Sequence, residues 1–443
     1  MTALTVGYMS SMRSMQSSSI TAHAQTQAQI KAMVGYQALT KFLQNKVSAD
    51  FDQIATGTVT YGNNEITYTK VDSTCPASSI PGATNYCFDI LGKSGEASAI
   101  IRAIYTFRNQ LSSGLQTGSV FAGGLKVNSN TGNNQNLFGS SVSLEVGGGV
   151  VNSNNNHTYT TAELQAMGVT VTPYVPRSFV TANDLKDYSN YVCTVVSSIA
   201  QCVRKNLGGA TLDETNSITL PAGITYSEKN GVHTWSVEAS KNLPAGVLWF
   251  DGNVNVTLDQ NKPLVNSIIA TGTISSDIPT NVNSTSTFEA YAPYHYILNA
   301  SSSNMENRLN TVCPTTNYPL QYCSSSGALK STSDMQLLQA TVANILYLGT
   351  SFALDSGKSQ QDITVNYYGN LIASSGAGGT GKSSGKFTGT GVINVSGNLM
   401  VTGDADMSEL TGSIAVKLSN AQQQGNYIPT YIKVLKNGPI RYM

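Results

Sequence analysis

The apolar residues in the first 47 positions recur at the spacing of an α-helix. Most intervals between them are three or four residues, and the segment contains no proline and no acidic residue. A helix of about 45 residues would be about 68 Å long at 1.5 Å per residue. Because so long a helix carries few charges, we expect it to be buried against partners. The residues predicted to form this assembly contact are Met9, Met12, Ile20, Ile30, Val34 and Phe42.

The two halves of this helix are predicted to have different surroundings. The C-terminal half, with Val34 and Phe42, should pack on a β-sheet of the same chain. The N-terminal half, with Met9 and Met12, should project from the domain and contact other subunits.

In the rest of the sequence, apolar and polar residues alternate in short runs that are separated by Gly or Asn, which is typical of a series of short strands. A turn at Gly62 separates alternating runs at residues 57–61 and 65–71, which predicts a hairpin. Later runs, such as residues 391–403, repeat a unit of Gly-Asn, apolar residues and Thr-Gly. In a β-solenoid the inward positions are Val, Ile or Leu, the corners are Gly or Asn, and stacked Asn side chains pair between rungs. We therefore predict an α+β, mostly β fold with solenoid-like rungs, with β-sandwich domains as the alternative.

Composition and pattern divide the chain into three predicted regions. Residues 1–110 combine the long helix with a β-region. Residues 111–300 are β-rich and solenoid-like. Residues 301–443 contain a disulfide loop, another helix and a C-terminal β-rich region.

Two further helices are predicted inside these regions. The first is an inserted helix at residues 181–205, although Cys193 and Cys202 would lie on opposite faces of one straight helix, so we expect a break between them. The second, at residues 334–348, begins with the residue types of a capping box.

The charge balance excludes some classes of function. The 25 basic and 25 acidic residues cancel, and charged residues make up only 11% of the chain. No global positive field is available to attract DNA or RNA, so no nucleic acid partner is expected. Helical intracellular enzymes carry many more Lys and Glu on their solvated faces, which disfavours that class. The composition favours a large β-rich surface protein that is solvated by hydroxyl and amide side chains.

The six cysteines form three close pairs along the sequence and predict three local disulfides. Their spacing does not match the CxxC or Cys/His pattern of zinc sites. Disulfides persist in oxidising compartments, so an extracytoplasmic location is expected, with free buried thiols in a cytosolic protein as the alternative. The predicted pairs are Cys75/Cys87, Cys193/Cys202 and Cys313/Cys323.

The N-terminal segment resembles that of type IV pilins, particularly large minor pilins of the PilX type. The likeness rests on a long helix that is apolar first and then rich in Ser, Ala and Gln, as in residues 24–38, followed by β-structure and local disulfides. The acidic residue usually found near the start of a mature pilin helix is absent here. A coiled-coil or domain-linking helix of another surface protein is the alternative.

The resemblance implies a structural and adhesive role in an extracellular, cell-surface pilus. The chain would be a minor pilin, at the tip or in the shaft, that mediates pilus assembly and surface attachment. Its implied partners are other pilin subunits through the N-terminal helix, a host-surface or glycan receptor, and the inner membrane before assembly. No signal peptide is visible and the first apolar run is too short to span a bilayer, so a processed or truncated chain is expected.

One glycine-rich loop matches two catalytic motifs. Residues 376–383 fit the Walker A expression, and residues 381–385 fit the Gly-x-Ser-x-Gly elbow of hydrolases. A phosphate-binding loop is followed at once by a helix, whereas this loop leads into a strand-like run. We interpret it as a surface loop, and we predict no catalytic residue, no cofactor and no enzymatic activity.

Other candidate chemistry is sparse. Asp404, Asp406 and Glu409 could supply oxygen ligands to calcium, although a charged corner between rungs is the preferred interpretation and no metal site is predicted. The tyrosine-rich segment 291–296 could be an exposed contact patch or part of the core.

Two other functional classes remain as alternatives to the pilin. One is a structural surface protein of the phage or S-layer kind. The other is a carbohydrate-active β-helix enzyme, which would need two or three carboxylates close together on one face, whereas acidic residues are few in the rungs.

Overall fold

A computed structural model describes residues 2–44, 54–62, 64–79, 83–116, 118–127, 138, 142–176, 179–209, 217–279, 285–325, 327–330, 338–357, 363–375, 382–411, 415–419 and 427–443. The chain divides into two compact units. The first comprises Met1–Gln110 and Tyr431–Met443, and the second comprises Leu111–Thr430. The predicted boundary after residue 300 therefore lies inside the second unit.

The described helices and strands follow one another in three stretches. The first contains α1 (Thr2–Gln44), β1 (Thr56–Tyr61), β2 (Asn64–Lys70), β3 (Ala83–Ser94) and β4 (Ala97–Leu115). The second contains β5 (Ser119–Phe121), β6 (Leu125–Val127), β7 (Val142–Val146), β8 (Val150–Asn152), α2 (Thr161–Ala166), β9 (Val169–Pro173), a 3₁₀-helix (Ala182–Tyr188), β10 (Tyr191–Val196), β11 (Ile199–Arg204), β12 (Leu207–Gly208), β13 (Ser217–Ile218), β14 (Ile224–Lys229) and β15 (Val232–Glu238). The third contains β16 (Val247–Phe250), β17 (Asn253–Thr257), β18 (Leu264–Val265), β19 (Ser267–Ala270), β20 (Thr273–Asp277), β21 (Thr287–Tyr291), α3 (Pro293–Leu298), α4 (Met305–Val312), β22 (Tyr318–Pro319), α5 (Leu338–Thr341), a 3₁₀-helix (Val342–Asn344), β23 (Ile345–Gly349), β24 (Ser351–Asp355), β25 (Thr364–Tyr368), β26 (Asn370–Ser374), β27 (Ser384–Thr388), β28 (Val392–Ser396), β29 (Leu399–Thr402), β30 (Ser408–Leu410), β31 (Ala415–Ser419) and β32 (Tyr427–Tyr442).

The first unit is the long helix α1 packed on an antiparallel meander. Its sheet has the order β1-β2-β3-β4-β32, and β1 to β4 pair antiparallel with their neighbours in sequence. Alternation along the strands places Ile66, Phe88 and Tyr105 in one core with Leu39 of α1. The prediction of a long N-terminal helix followed by a mostly β fold is confirmed.

The second unit is a stack of coils that each contribute strands to two or three sheets. Strands β16, β17 and β18 belong to three different sheets, and so do β19 to β21, β23 to β25, β26 to β28 and β29 to β31. Equivalent strands of successive coils pair in parallel and in register. This is the geometry of stacked rungs, whereas the antiparallel sandwich considered as the alternative has no such parallel registers. The three sheets have the orders β13-β11-β10-β16-β19-β23-β26-β29-β5-β7-β9, β14-β15-β17-β20-β24-β27-β30-β6-β8 and β18-β21-β25-β28-β31.

The five central strands of the eleven-stranded sheet are buried on both faces. Every residue of β16, β19, β23, β26 and β29 is buried, and the apolar residues of β16, β19, β26 and β29 alternate between two cores. Leu248 and Phe250 belong to the core inside the coils, while Val247 and Trp249 belong to a core on the outer face. In the nine-stranded sheet only alternate residues are buried, as in β17 and β20. The central strands of the eleven-stranded sheet therefore have continuous apolar sequences, whereas the strands of the nine-stranded sheet alternate apolar and polar residues.

The order of the coils in space differs from their order in sequence. Strand β5 pairs in parallel with β29, so the first coils of the unit stack on the last coil. The chain enters the stack at β5, runs outward to β9, and resumes at β10 on the far side of β16 to β29. The connection between β9 and β10 contributes to the outer core, where the Trp249 Nε1–H donates to the Ala182 carbonyl at 2.8 Å.

Asparagine side chains pair between successive coils, as the sequence predicted. The backbone N–H and the Nδ2 of Asn398 both donate to Oδ1 of Asn370, each at 3.1 Å. In the five-stranded sheet the Nδ2 of Asn394 donates to Oδ1 of Asn366 at 2.7 Å. The first pair is buried and the second is partly exposed, so these bonds satisfy polar groups at the corners and along the sheet.

The predicted helix at residues 181–205 is wrong. Only Ala182–Tyr188 is helical, as a 3₁₀-helix, and β10 and β11 then form an antiparallel hairpin that joins Cys193 directly opposite Cys202. The physical reason is local, because β-branched residues dominate β10 and the predicted break is the turn between the two strands.

The predicted helix at residues 334–348 is only partly correct. Residues 334–337 lie outside the described residues. Residues 338–344 are helical, but Ile345–Gly349 is strand β23, paired in parallel between β19 and β26. Stacking in the buried sheet overrides the helical pattern there.

Candidate assembly site on the N-terminal helix

The C-terminal half of α1 packs on its own sheet through a stripe that begins with small residues. The buried positions follow spacings of three or four residues, which is one face of a helix. Small side chains bring the helix axis close to the strands, and leucines then fill the core. The stripe consists of Ala28, Ala32, Gly35, Leu39 and Leu43.

Two glycines show how close the approach is. A Cβ on Gly35 would lie 2.5 Å from Cγ2 of Ile66 and 2.7 Å from Cγ2 of Ile90. A Cβ on Gly92 of β3 would overlap the carbonyl oxygen of Ala28 and lie 2.5 Å from the backbone nitrogen of Ala32. Helix backbone and strand backbone are therefore in contact, with no room for a side chain between them.

Polar groups of the packed half are also paired within the first unit. The hydroxyls of Thr40 and Tyr105 lie 3.0 Å apart, and the Tyr105 hydroxyl is 3.4 Å from the Tyr36 carbonyl. The rings of Tyr36 and Tyr105 stack with centroids 6.0 Å apart. Burial raises the pKa of Tyr105 well above its ordinary value, so this phenol stays protonated and the link is neutral.

The N-terminal half of α1 has no such support. Residues 6–23 are exposed on every side of the helix, large apolar residues included. Met9 is 67% exposed, Met12 is 44% exposed and Ile20 is 69% exposed. Isolated apolar residues are ordinary on a protein surface, but six large ones within fifteen helical positions are a concentrated group. They are Val6, Tyr8, Met9, Met12, Met15 and Ile20.

Met12 and Ile30 lie on the side of the helix opposite to the sheet. Ile30 is two residues from both Ala28 and Ala32, which places it about 200° around the helix from each of them. Ile30 is half exposed as a result. Met12 precedes Ile30 by about five full turns and so lies on the same line. One face of α1 is occupied by its own sheet, and the opposite face is available along the described length.

Hydroxyl side chains of the projecting half bond within the helix. Ser14 donates to the Ser11 carbonyl at 2.8 Å, Ser17 to the Ser14 carbonyl at 3.0 Å, and Thr21 to the Ser17 carbonyl at 2.8 Å. Such bonds reduce the cost of removing these hydroxyls from water. The segment is therefore suited to burial against another surface.

The structure divides the six residues predicted for assembly into two groups. Met9, Met12, Ile20 and Ile30 are exposed, and Val34 and Phe42 are partly buried against the core of the first unit. The small residues that make the closest contact with the sheet were not among the six predicted ones. Their spacing of three and four positions was the available signal.

The three predicted cysteine pairs are joined in the structure. The Cα–Cα distances are 5.4 Å for Cys75–Cys87, 4.0 Å for Cys193–Cys202 and 5.6 Å for Cys313–Cys323. The described chain has no free cysteine. Three disulfides fit an oxidising compartment.

The Walker-like loop does not have the surroundings of a phosphate site. Residues 376–381 lie outside the described residues. Ser383 is buried and its hydroxyl bonds to the Thr402 carbonyl, and Ser384 begins strand β27 instead of a helix. Lys382 pairs with Asp406 at 3.2 Å on the surface, which raises the lysine pKa. A helix N-terminus to hold a phosphate is missing from the described part of this loop.

Of the candidate calcium ligands, Asp404 and Asp406 lie in the corner before β30, and Glu409 lies within β30. Asp406 pairs with Lys382, and Glu409 lies 4.0 Å from Lys126. Within the described ranges, no group of three or more His, Cys, Asp or Glu side chains is placed to hold a metal ion.

The tyrosine-rich segment 291–296 is packed more than exposed. Tyr291 and Tyr294 are buried, and Tyr291 stacks on Tyr368 with centroids 4.3 Å apart. Arg308 lies over the Tyr296 ring at 4.4 Å and donates to the Tyr296 carbonyl at 2.7 Å. The interpretation of this segment as an exposed contact patch is therefore wrong.

Comparison with known proteins adds little to this geometry. No family model and no curated protein matches the sequence. Among solved structures, the chain matches the competence-associated pilin ComZ from Thermus thermophilus over 94% of this chain and 98% of that one, with 10% identity and a TM-score of 0.24. A TM-score below 0.5 does not establish a common fold, so the geometry of this chain carries the argument below. Among the described helices, none is both long enough and apolar enough to cross a bilayer.

Proposed function

We propose that this protein is a subunit of an extracellular filament of the type IV pilus kind, incorporated through the projecting half of α1. The observation that carries the proposal is a single helix with one half anchored on its own sheet and the other half exposing six large apolar residues. Concentrated exposed apolar residues mark protein contact sites. The three disulfides fit the oxidising location that such a filament requires.

Within that function we propose a minor pilin whose β-rich body faces outward and mediates surface attachment. Support comes from the size of the second unit, Leu111–Thr430, which is inserted in the sequence between the two segments of the first unit. Its partners would be other pilin subunits, a host-surface or glycan receptor, and the inner membrane before assembly. We propose a structural role in place of catalysis.

The test compares aspartate substitutions in the two halves of α1. Met9→Asp and Met12→Asp should leave the thermal melt of the purified chain unchanged, because these side chains already lie in water. Both should abolish incorporation into filaments in cells that assemble them, because each buries an unpaired carboxylate in the contact. Leu39→Asp, at a fully buried position, should cost several kcal/mol, a large part of a typical stability.

A matched control separates charge from position. Ser18 is exposed on the projecting half and lies about half a turn around the helix from Met9. Ser18→Asp should fold and should still enter filaments. If Met12→Asp melts at as low a temperature as Leu39→Asp, the whole helix is an internal core element and the filament proposal is wrong.

A further inference from the structure

The five-stranded sheet of the first unit has two edges of different character. At one edge lies β32, which carries Lys436, Pro439 and Arg441 in exposed positions. Charged residues and proline are the usual features that prevent an edge strand from pairing with another chain. At the other edge lies β1, which has the sequence TGTVTY and contains neither a charged residue nor a proline. Only the β1 edge is therefore suited to further pairing.

The register of β1 shows which of its backbone groups face the open edge. The Lys70 N–H donates to the Ala55 carbonyl at 2.7 Å, and the pairing of β1 with β2 continues from there without a shift. Bonded residues alternate along an antiparallel pair, so every second residue from Gly57 onward bonds to β2. The N–H and C=O groups of the residues between them point outward, and among the described strands none pairs with β1 on that side. The outward residues are Thr56, Thr58 and Thr60.

The two faces of β1 have different surroundings at this edge. On the face toward α1, Val59 is buried in the core of the first unit, whereas Tyr61 is 56% exposed. Phe42 and Ile54 pack against the same core and are only partly buried. The side chains of the three outward threonines are exposed on the opposite face. The core under α1 is therefore incompletely covered next to the open edge.

The backbone of β1 can pair with itself in the antiparallel direction. A two-fold axis at Thr58 places Thr58 opposite its own copy and Thr56 opposite Thr60 of the second copy. These are the residues whose backbone groups point outward, and each such pair exchanges two N–H···O bonds. Threonine then lies opposite threonine on the exposed face, which is a favourable cross-strand pair, and no like charges meet.

The side chains on the α1 face are complementary about the same axis. Tyr61 lies opposite Ala55 of the second copy, and Val59 lies opposite Gly57. Large side chains therefore meet small ones across the contact, as in a well-packed core. The exposed ring of Tyr61 would be covered by this arrangement.

We propose that the protein forms a symmetric dimer in which the β1 strands of two copies pair antiparallel and join their sheets into one. The second copy is the occupant favoured here because β1 matches itself in bonding pattern, direction and side-chain size. Pairing through the same edge in both copies gives a closed two-fold contact, and β32 blocks extension at the outer edges. The contact is separate from the projecting half of α1 and goes beyond the filament function proposed above.

The first test measures self-association of the full chain by sedimentation equilibrium. The parent chain should form dimers. In Thr58→Lys two lysines would face each other across the axis, and like charges directly opposite destabilise a strand pair, so the dissociation constant should rise about fivefold or more. Thr67→Lys is the matched control, because Thr67 is exposed and directly opposite Thr58 on β2, one strand further from the axis. It adds the same charge and should leave the dimer intact, and both variants should keep the thermal melt of the parent.

The decisive arm mixes two charged variants. Thr58→Lys and Thr58→Glu should each associate weakly alone, and an equimolar mixture should form heterodimers, because opposite charges then meet at the axis. A monomeric parent chain, equal effects of Thr58→Lys and Thr67→Lys, or a mixture that stays dissociated would each overturn the proposal. A dimer that is lost in Met12→Asp and kept in Thr58→Lys would also overturn it, because self-association would then belong to α1 and the filament function would stand.

Discussion

Gly92→Val should unfold the first unit selectively, with a loss of roughly 3 kcal/mol or more in its free energy of unfolding. The side chain would have to occupy the space of the Ala28 carbonyl and the Ala32 backbone nitrogen. Neither atom belongs to a flexible side chain, so α1 would have to lift from β3. Valine is otherwise favoured in strands, so the loss would isolate the steric effect.

The two units can be followed separately in this experiment. Both tryptophans, Trp235 and Trp249, belong to the second unit, whereas α1, which contains most of the helical residues described, belongs to the first. Gly92→Val should lower the melting temperature seen by circular dichroism at the helical band and leave the tryptophan fluorescence transition unchanged. Gly7→Ala is the matched control, because a Cβ at Gly7 meets nothing within 4 Å and alanine favours helix. A normal helical transition for Gly92→Val would contradict the close packing of α1 on β3.

The same glycine shows what the sequence could and could not predict about the site. Apolar spacing correctly predicted a helix over nearly all of its observed length, Thr2–Gln44. The same pattern assigned the contacts of this helix to large residues such as Ile30 and Phe42, because hydrophobicity increases with the size of an apolar side chain. Close contact between the helix backbone and the strand backbone requires small residues instead, since only Gly and Ala leave room for it. The identity of the partner strand, and hence the role of Gly92, could not be read from local pattern.

The second unit shows a different limit of prediction from local sequence pattern. Local patterns predicted rungs, glycine corners and asparagine pairing, because the repeated Gly-Asn unit is visible within a few positions, although the asparagines that pair are 28 positions apart. The stacking of β5 on β29 joins residues about 280 positions apart, as in the bond between the Leu399 N–H and Ser119. No local pattern specifies that contact. Continuous apolar runs such as those of β16 and β19 are typical of a sheet covered on both faces, but an apolar run alone also fits a helix.

Ile268→Asp and Ile269→Asp should both unfold the second unit, each costing several kcal/mol, although the two side chains point to opposite faces of β19. Ile268 belongs to the core inside the coils and Ile269 to the outer core, and both are 0% exposed. In β20 of the nine-stranded sheet, aspartate at two consecutive positions should have different effects. Ile274→Asp should be as damaging, whereas Ser275→Asp should change stability by about 0.5 kcal/mol or less, because Ser275 faces solvent.

Tryptophan fluorescence during denaturant unfolding provides the measurement, because both indoles are buried in the second unit. Three variants should shift the midpoint strongly, and Ser275→Asp should overlay the parent curve. The helical band should keep its own transition in all four chains, since α1 belongs to the other unit. If Ile269→Asp is tolerated while Ile268→Asp is not, the outer face of the large sheet is open to water. In that case the segment between β9 and β10 does not cover it, and the two-core description of the stack is wrong.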